Sequence, residues 1–342
     1  MHPGRRPMHN LLDPAILFFI FGVLAGAAKS NQEIPPAISR FLSLYLLMAL
    51  GLKGGFALSQ SGLNIQIGLS LGVALVLAVI VPLLGYAILR QFVSGFDAVT
   101  IAATYGSVSA VTFLTATQYL ENQDITFGGH MAAAMALMES PAIIMAVVLA
   151  NRLRKPAAMG LAAHGDGAPV LGAHQEKSPS ALGKILHESL TDGAPLLLLG
   201  AMVVGLISGD AGKAAMQPFT GELFKGMLSF FLLDMGLMAA RNVAQLKDKS
   251  AALLAYAVVA PVVHASLALG LCWTLGLPEG DSALLMVLAT SASYIAVPAV
   301  LRYALPEANP SLYFGLSLGV TFPLNILAGI PIYAAVAQAV LG

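Results

Sequence analysis

Charged side chains are scarce in this chain. Asp, Glu, Lys and Arg make up 10% of its 342 residues, whereas an ordinary soluble domain carries about 25%. Hydrophobic residues make up 58%, and the mean hydropathy is +0.82. Because water cannot solvate so apolar a surface, the composition excludes a soluble globular protein and predicts a polytopic integral membrane protein.

Cysteine and net charge are also lacking. The single Cys272 excludes an internal disulfide framework and any cysteine-pair metal site, since both need a second thiol. Lys plus Arg and Asp plus Glu number 17 each, and no basic run is interleaved with aromatic residues, so nucleic acid is excluded as a partner. The sequence contains no group of residues with the spacing of a metal site.

Long apolar segments are what the chain does contain. A membrane-spanning helix takes about 20 residues, and ten segments of roughly that length follow one another. They run approximately over 14–28, 37–58, 63–89, 97–120, 127–150, 190–208, 219–240, 250–275, 281–305 and 311–340. We therefore expect an all-α integral membrane protein with five spans in residues 1–150, a flexible linker at 151–189, and five spans in residues 190–342.

Basic residues indicate the orientation of these spans. Lys and Arg concentrate on the cytoplasmic side of inserted helices, and Arg152, Arg154 and Lys155 open the linker. In total, twelve Lys and Arg residues lie on the same side as the linker, and five lie on the opposite side: Arg5, Arg6, Lys53, Lys213 and Lys225. We expect a multi-pass protein of the cell inner (plasma) membrane, with the linker in the cytoplasm and both termini on the opposite side.

The two halves of the chain resemble each other. Residues 50–52 recur at 235–237 and residues 103–107 at 289–293, while Asp97 is matched by Asp281. An ordered series at nearly constant offset indicates an internal repeat. Since five spans is an odd number, the second copy must enter the membrane from the opposite side, which predicts a 5+5 inverted repeat.

The middles of the fourth and ninth spans are poorly suited to helix. Residues 105–112 and 290–298 concentrate Gly, Ser and Thr, and the second stretch ends at Pro298. Such breaks at membrane depth are tolerated only where they are buried in protein or line a wet cavity. Two matched breaks therefore predict a binding site, with broken fourth and ninth helices and second half-helices beginning near Thr112 and Pro298.

Half-helices that start at these breaks would direct backbone N–H groups at a small anion, and carbonyls with hydroxyls would coordinate Na+. Alternatively, the hydroxyls only bond to helix carbonyls at close helix contacts. The predicted substrate-binding residues are Gly106, Ser107, Ser109, Thr112, Ser291, Ser293 and Tyr294.

Several ionisable residues also lie in apolar segments. Placing the Glu139 carboxylate within the membrane would cost about 2.5 kcal/mol or more, which favours a functional role. We predict that Glu139 binds Na+ with Ser109, Thr112 and Ser293, or that it carries a proton. The alternative is a structural carboxyl beside Pro141. Lys53 and Asp234 suggest a structural interhelical ion pair, and His130 and His264 suggest packing residues.

These segments resemble the SbtA-type sodium-dependent bicarbonate transporters. The resemblance covers most of the chain outside the linker and rests on the runs at 50–55, 106–109, 138–151, 187–190 and 308–311. Ser109, Thr112, Ser291 and Ser293 match hydroxyl positions of that family's binding segments. The chain departs from the family pattern at Ala110, Val111 and Tyr294, where members carry Gly, Ser and Asp, and at Glu139, which replaces an Asp.

The resemblance implies Na+-driven uptake of bicarbonate at the crossing of the fourth and ninth helices, with Na+ as the coupling ion. It also implies a homotrimer and a PII-like regulatory protein as a cytoplasmic partner. We expect a transporter of bicarbonate or a similar small anion rather than an enzyme. The alternatives are a cation/proton antiporter centred on Glu139, a non-transporting membrane sensor, and an intramembrane hydrolase that uses Ser107 or Ser109 with His130 or His264.

Overall fold

The computed structural model describes residues 13–62, 64–162, 193–243, 246 and 249–342. Within these ranges all regular structure is helical. In chain order the helices are α1 (Pro14–Ala27), α2 (Pro36–Ser61), α3 (Ile65–Leu89), α4 (Gly95–Gly106), α5 (Ala110–Asn122), α6 (Met131–Ala162), α7 (Gly193–Gln217), α8 (Leu223–Val243), α9 (Ala251–Leu275), α10 (Glu279–Thr290), α11 (Ala296–Ala304) and α12 (Pro310–Leu341).

Within the described residues, seven helical stretches are long and apolar enough to cross a membrane. Large apolar side chains also cover the outside of the molecule; Ile207 is 80% exposed and Trp273 is 64% exposed. Such a surface suits lipid rather than water. The prediction of an all-α, multi-pass membrane protein is confirmed at this level. The stretches are Pro36–Ser61, Ile65–Leu89, Gly95–Asn122, Met131–Arg154, Gly193–Val243, Ala251–Leu275 and Pro310–Leu341.

Polar side chains form N-caps at the starts of several helices. Asp13 accepts the Ala15 N–H at 2.8 Å and caps α1, as its position before Pro14 predicts. Asn64 caps α3 by accepting the Ile67 N–H at 3.0 Å. Asp192 precedes the sixth apolar segment closely followed by Pro195, which predicts a second N-cap, but it lies outside the described residues. Helix α6 runs to Ala162 and so extends into the predicted linker.

The stretch from α7 to α8 reverses direction. Gly209 has a positive φ of 54°, which favours glycine, and a π-helical turn at Pro218–Glu222 follows. Beside Gly209, Asp210 accepts a hydrogen bond from Gln60 at 2.7 Å, whereas Arg241, near the end of α8, donates to the Gln32 carbonyl at 3.3 Å. We call the end of the molecule that carries Gln60 and Asp13 the terminal end, and the opposite end, where α6 finishes, the linker end.

Two close helix pairs form one side of the molecule. Helix α1 packs on α8 and α2 packs on α7. A Cβ on Gly22 would lie 3.1 Å from the Gly236 Cα, and a Cβ on Gly205 would lie 3.1 Å from the Gly55 Cα. Glycine at these positions therefore lets the helix backbones approach closely, as small residues do in membrane bundles.

Helices α4, α5 and α10 form the interior of the other side. Helix α4 packs against α3 and α6, while α10 packs against α5, α9 and the end of α12. Nine of the twelve residues of α4 and eleven of the twelve residues of α10 are buried. The two interrupted stretches, α4 with α5 and α10 with α11, thus pass through the protein interior rather than along lipid.

Candidate functional site

The first interruption lies between α4 and α5. Helix α4 ends at Gly106, and Ser109 is the N-cap of α5, with its Oγ accepting the Thr112 N–H at 3.2 Å. Serine is a favoured N-cap because its side chain satisfies one of the first unpaired N–H groups. The residues at 107–109 are therefore non-helical, as the sequence predicts.

The second interruption lies between α10 and α11. Helix α10 ends at Thr290, and α11 begins at Ala296. Ser293 Oγ accepts the Val297 N–H at 3.3 Å. Both second half-helices start two residues before the predicted Thr112 and Pro298. Pro298 is still tolerated, because the first four N–H groups of a helix have no partner within it.

The two interruptions contact each other. The Ser109 N–H donates to Ser291 Oγ at 3.1 Å, and the Ser293 N–H donates to the Thr104 carbonyl at 2.8 Å. We call residues 106–112 together with 291–295 the crossing. The matched breaks, which are 182 residues apart at this contact, are brought together by the fold.

Several hydroxyl groups at the crossing are buried without a hydrogen-bond partner. Among the described residues, Ser107 Oγ and Thr112 Oγ1 have none, although each residue is 1% exposed. The Tyr294 hydroxyl is buried beside Ser109 without a hydrogen bond of good geometry, and its ring packs edge-on against Phe322. Since buried polar groups are normally satisfied, these hydroxyls make the crossing a candidate site for a polar ligand.

A small cavity of about 60 Å³ adjoins the crossing. Its polar lining comes from Ser43 on α2, Ser109, Glu139 on α6, Ser293 and Tyr294. A water molecule needs about 10–15 Å³ of such space, so the cavity has room for a small ion. Of the predicted residues, Ser109, Ser293, Tyr294 and Glu139 thus share one cavity.

The other predicted residues lie elsewhere at the crossing. Ser107, Thr112 and Ser291 are buried there but do not line the small cavity. Gly106 packs on Pro82 of α3, and the space for a Cβ is filled by the proline ring. Gly106 therefore permits close packing of α4 on α3 in this structure.

The electrostatics of the crossing come mainly from the backbone. Helices α5 and α11 both begin there, which brings the positive ends of two helix dipoles together. Helices α4 and α10 end there and bring carbonyl groups. The described lining of the small cavity contains no Lys or Arg, and Glu139 is its carboxylate. The arrangement can hold an anion on N–H groups and a cation on oxygen atoms.

Two larger cavities lie at opposite ends of the molecule. The linker-end vestibule, about 490 Å³, is lined by residues that include Arg40, Asp234 and Arg241. It shares Ser43, Tyr294 and Ile295 with the small cavity. The terminal-end vestibule, about 420 Å³, is lined by residues that include Lys53 and Glu121. It shares none of its described lining residues with the small cavity.

Sequence reasoning missed Ser43 and misjudged Asn325. Ser43 reaches the cavity from α2, and its local sequence carries no signal for this. Asn325 follows Pro323 in the tenth apolar segment, which predicts that its side chain bonds to carbonyls released by the proline. Its Nδ2 instead donates to the Thr290 carbonyl at 3.0 Å, at the end of α10. The sequence feature that marks Asn325 as a residue of interest is its position as an asparagine within an apolar helix.

The suggested ion pair between Lys53 and Asp234 is wrong. Lys53 Nζ lies 2.9 Å from Glu121 Oε1, and Asp234 accepts the Ser39 hydroxyl at 2.5 Å. Lys53 faces the terminal-end vestibule, whereas Asp234 faces the linker-end vestibule, so the two cannot meet. His130 Nε2 lies 3.3 Å from Asp281 Oδ2.

Comparison with known proteins assigns the family. The profile of the Na+-dependent bicarbonate transporter superfamily matches residues 14–338, which is nearly the whole chain. A search of curated proteins found no match. The chain belongs to the Na+-dependent bicarbonate transporter superfamily, so it is a membrane transport protein of a family whose coupling ion is Na+.

Proposed function

We propose that this member of the Na+-dependent bicarbonate transporter superfamily is a secondary active transporter that imports bicarbonate, or a similar small anion, together with Na+. The observation that carries the proposal is the crossing itself. Ser109, Ser293, Tyr294 and Glu139 line a small cavity there, and the nearby buried hydroxyls of Ser107 and Thr112 lack hydrogen-bond partners within the described structure. A small ion pair would satisfy these groups.

The anion and Na+ would use different groups at the crossing. The anion would be held by N–H groups at the start of α5 and α11, because two positive helix ends favour negative charge. Na+ would be held by hydroxyl, carbonyl and carboxylate oxygens, as at other interrupted helices of transporters. The proposed anion residues are Gly106, Ser107, Ser109, Thr112, Ser291, Ser293 and Tyr294, and the proposed Na+ ligands are Ser109, Thr112, Glu139 and Ser293.

We further propose that the chain crosses the membrane ten times. The stretch Gly193–Val243 has 51 residues, about twice the length that one crossing needs, and it bends at Gly209. Helix α1 has 14 residues and would cross as a short span. The α10–α11 stretch would cross as an interrupted helix whose polar middle lowers its hydropathy.

Paired contacts support a 5+5 inverted repeat with units 1–150 and 190–342 joined by a linker at 151–189. Asp97 accepts the Asn309 N–H at 2.7 Å at the linker end, and Asp281 accepts the Gly128 N–H at 2.6 Å at the terminal end. The α1–α8 and α2–α7 pairs are related in the same way. Equivalent contacts at opposite ends are what an inverted repeat requires.

Orientation and assembly follow from the sequence and the family. The basic residues favour a cytoplasmic linker with both termini on the opposite side of the plasma membrane. A homotrimer and a PII-like cytoplasmic partner are proposed from the resemblance alone. In this orientation the linker-end vestibule would face the cytoplasm.

An uptake panel in proteoliposomes tests the substrate. Bicarbonate, nitrate and acetate would each be offered with and without an inward Na+ gradient, with protein-free liposomes as the background. We expect Na+-driven uptake of bicarbonate and a large loss on Ser293→Ala. Uptake of another anion in preference would reassign the substrate, while ligand binding without any flux would favour the sensor.

A cation/proton antiporter is the second candidate, because Glu139 lines the small cavity. Antiport predicts that a Na+ gradient moves protons in bicarbonate-free buffer, which a pH-sensitive dye inside the vesicles would report. Glu139→Gln should abolish that signal without unfolding the protein.

The intramembrane hydrolase has little support from the structure. Among the described contacts, no hydrogen bond joins Ser107 or Ser109 to His130 or His264.

A further inference from the structure

The crossing has unequal access to the two ends of the molecule. The small cavity lies next to the linker-end vestibule, and both are lined by Ser43, Tyr294 and Ile295. On the other side, the described linings of the small cavity and the terminal-end vestibule have no residue in common. The crossing therefore adjoins the linker-end vestibule and is separated from the terminal-end vestibule.

Helix α5 forms the barrier toward the terminal end. It runs from the crossing to Asn122, and Phe113, Thr117 and Glu121 line the terminal-end vestibule. Residues four apart lie on one helix face, so these three mark a single path along α5. Phe113, only 1% exposed, fills this path one turn beyond Ser109, and Glu121 stands at its outer end.

Lys53 closes the outer end of this path. Its Nζ lies 2.9 and 3.1 Å from the two carboxylate oxygens of Glu121 and 4.5 Å from the centre of the Phe224 ring. Lys53 is on α2 and Phe224 is on α8, which belong to the glycine-packed helix pairs, whereas Glu121 is on α5. The ion pair thus connects the two sides of the molecule across the vestibule.

We propose that Lys53 and Glu121 form a gate that holds the terminal-end vestibule closed and must separate before an anion reaches the crossing from that end. The inference rests on the proposed transport function. Partly exposed ion pairs add little to the stability of a fold. A pair that exists in only one of two conformations still shifts their populations by its full interaction energy.

A second ion pair provides a matched control. Arg154 donates to both carboxylate oxygens of Glu307 at 2.8 Å, with side chains about as exposed as those of the first pair. It connects α6 to the turn after α11 at the linker end, away from the terminal-end vestibule. Breaking this pair removes a similar contact without touching the proposed gate.

Thiol labelling measures access on each side. In a Cys272→Ala background, Thr117→Cys places a thiol in the terminal-end vestibule and Ser43→Cys places one in the linker-end vestibule. A membrane-impermeant maleimide is then added from one side of oriented vesicles. Thr117 is 3% exposed in this state, so slow labelling is expected until the gate opens.

Lys53→Met and Glu121→Gln should each raise the labelling rate at position 117 severalfold and lower it at position 43. The exchange Lys53→Glu with Glu121→Lys should return both rates toward those of the parent. Arg154→Gln and Glu307→Gln should leave both rates unchanged. Rates in the Lys53 and Glu121 variants that match those of the control variants would overturn the gate.

The labelling assay tests the gate and the uptake assay tests the transport proposal, so either proposal can be rejected without the other. If the labelling rates change as expected but neither the parent nor any variant shows Na+-driven bicarbonate uptake, the gate proposal is supported and bicarbonate is rejected as the substrate. Na+-driven uptake with unchanged labelling would reject the gate and retain the substrate. Thermal unfolding of each variant confirms that the labelled protein is folded.

Discussion

The Ser109 N–H donates a hydrogen bond to Ser291 Oγ over 3.1 Å and so joins the two interrupted helices. The Ser293 N–H bonds in turn to the Thr104 carbonyl at 2.8 Å. A side chain of the second interruption therefore satisfies a backbone N–H of the first, and a carbonyl near the end of α4 satisfies a backbone N–H of the second. An unsatisfied backbone group at membrane depth costs several kcal/mol, so the breaks stabilise each other as a pair.

Removing the Ser291 hydroxyl should destabilise the protein. Ser291→Ala leaves the Ser109 N–H buried without this acceptor, which costs about 1–3 kcal/mol. Thermal unfolding in detergent should show a lower Tm. The control is Ser266→Ala, since Ser266 is exposed and bonds only to the Val262 carbonyl of its own helix. Equal Tm values for the two variants would contradict the pairing of the breaks.

Thr112→Val should impair Na+ use without loss of stability. The Thr112 Oγ1 has no partner within the described structure, so valine fills the same volume at no hydrogen-bond cost. A tenfold rise in the Na+ concentration for half-maximal uptake, equivalent to about 1.4 kcal/mol, is expected.

Thr115→Val is the control for that variant. Thr115 lies one turn further along α5, and its Oγ1 donates to the Val111 carbonyl at 2.8 Å. Its Na+ dependence should equal that of the unmodified protein. If both valine variants change Na+ dependence equally, Thr112 has no special part in binding Na+.

Glycine substitutions test the close helix pairs. Gly22→Ala and Gly205→Ala both place a methyl group against a facing helix backbone, and overpacking of this kind costs about 1–3 kcal/mol. Gly200→Ala is the control, because no other helix of the described structure comes within 4 Å of its Cβ position, and it should be neutral or stabilising by up to about 1 kcal/mol. Chemical denaturation in mixed micelles measures all three. A neutral Gly22→Ala would show that α1 and α8 are not tightly packed.

Glu307→Gln should alter the acid stability of the protein. The hydrogen-bonded Arg154 holds the pKa of Glu307 below its ordinary value of 4.5. A lowered pKa in the folded state stabilises the fold above the unfolded-state pKa, and this contribution is lost as pH falls through the folded-state pKa. The Tm difference between parent and variant should be constant at neutral pH and shrink below pH 4.5. A difference that persists at lower pH would exclude the ion pair as its cause.

The positions of both interruptions can be predicted from the sequence because their composition opposes helix. Ser107, Ser109, Ser291 and Ser293 are short polar residues that compete for backbone hydrogen bonds. The start of each following half-helix is less predictable. It depends on which serine becomes the cap, and Ser109 places the start of α5 two residues before Thr112.

Contacts between distant helices are beyond prediction from local sequence. Glu139 stands out as a carboxylate in an apolar segment, but nothing near Ser43 indicates that it lines the same cavity. Lys53 and Asp234 have opposite charges and sit in matching spans, yet each finds a different partner. Pairing depends on the depth and rotation of each helix, which residue type alone does not specify.

The most direct test is the initial rate of labelled bicarbonate uptake into proteoliposomes at alkaline pH, where bicarbonate rather than membrane-permeant CO2 predominates. An inward Na+ gradient is compared with equal Na+ on both sides, and protein-free liposomes give the background. We predict accumulation above equilibrium only with the gradient. Uptake that equals the background, or that does not respond to the gradient, would contradict Na+-coupled import at the crossing.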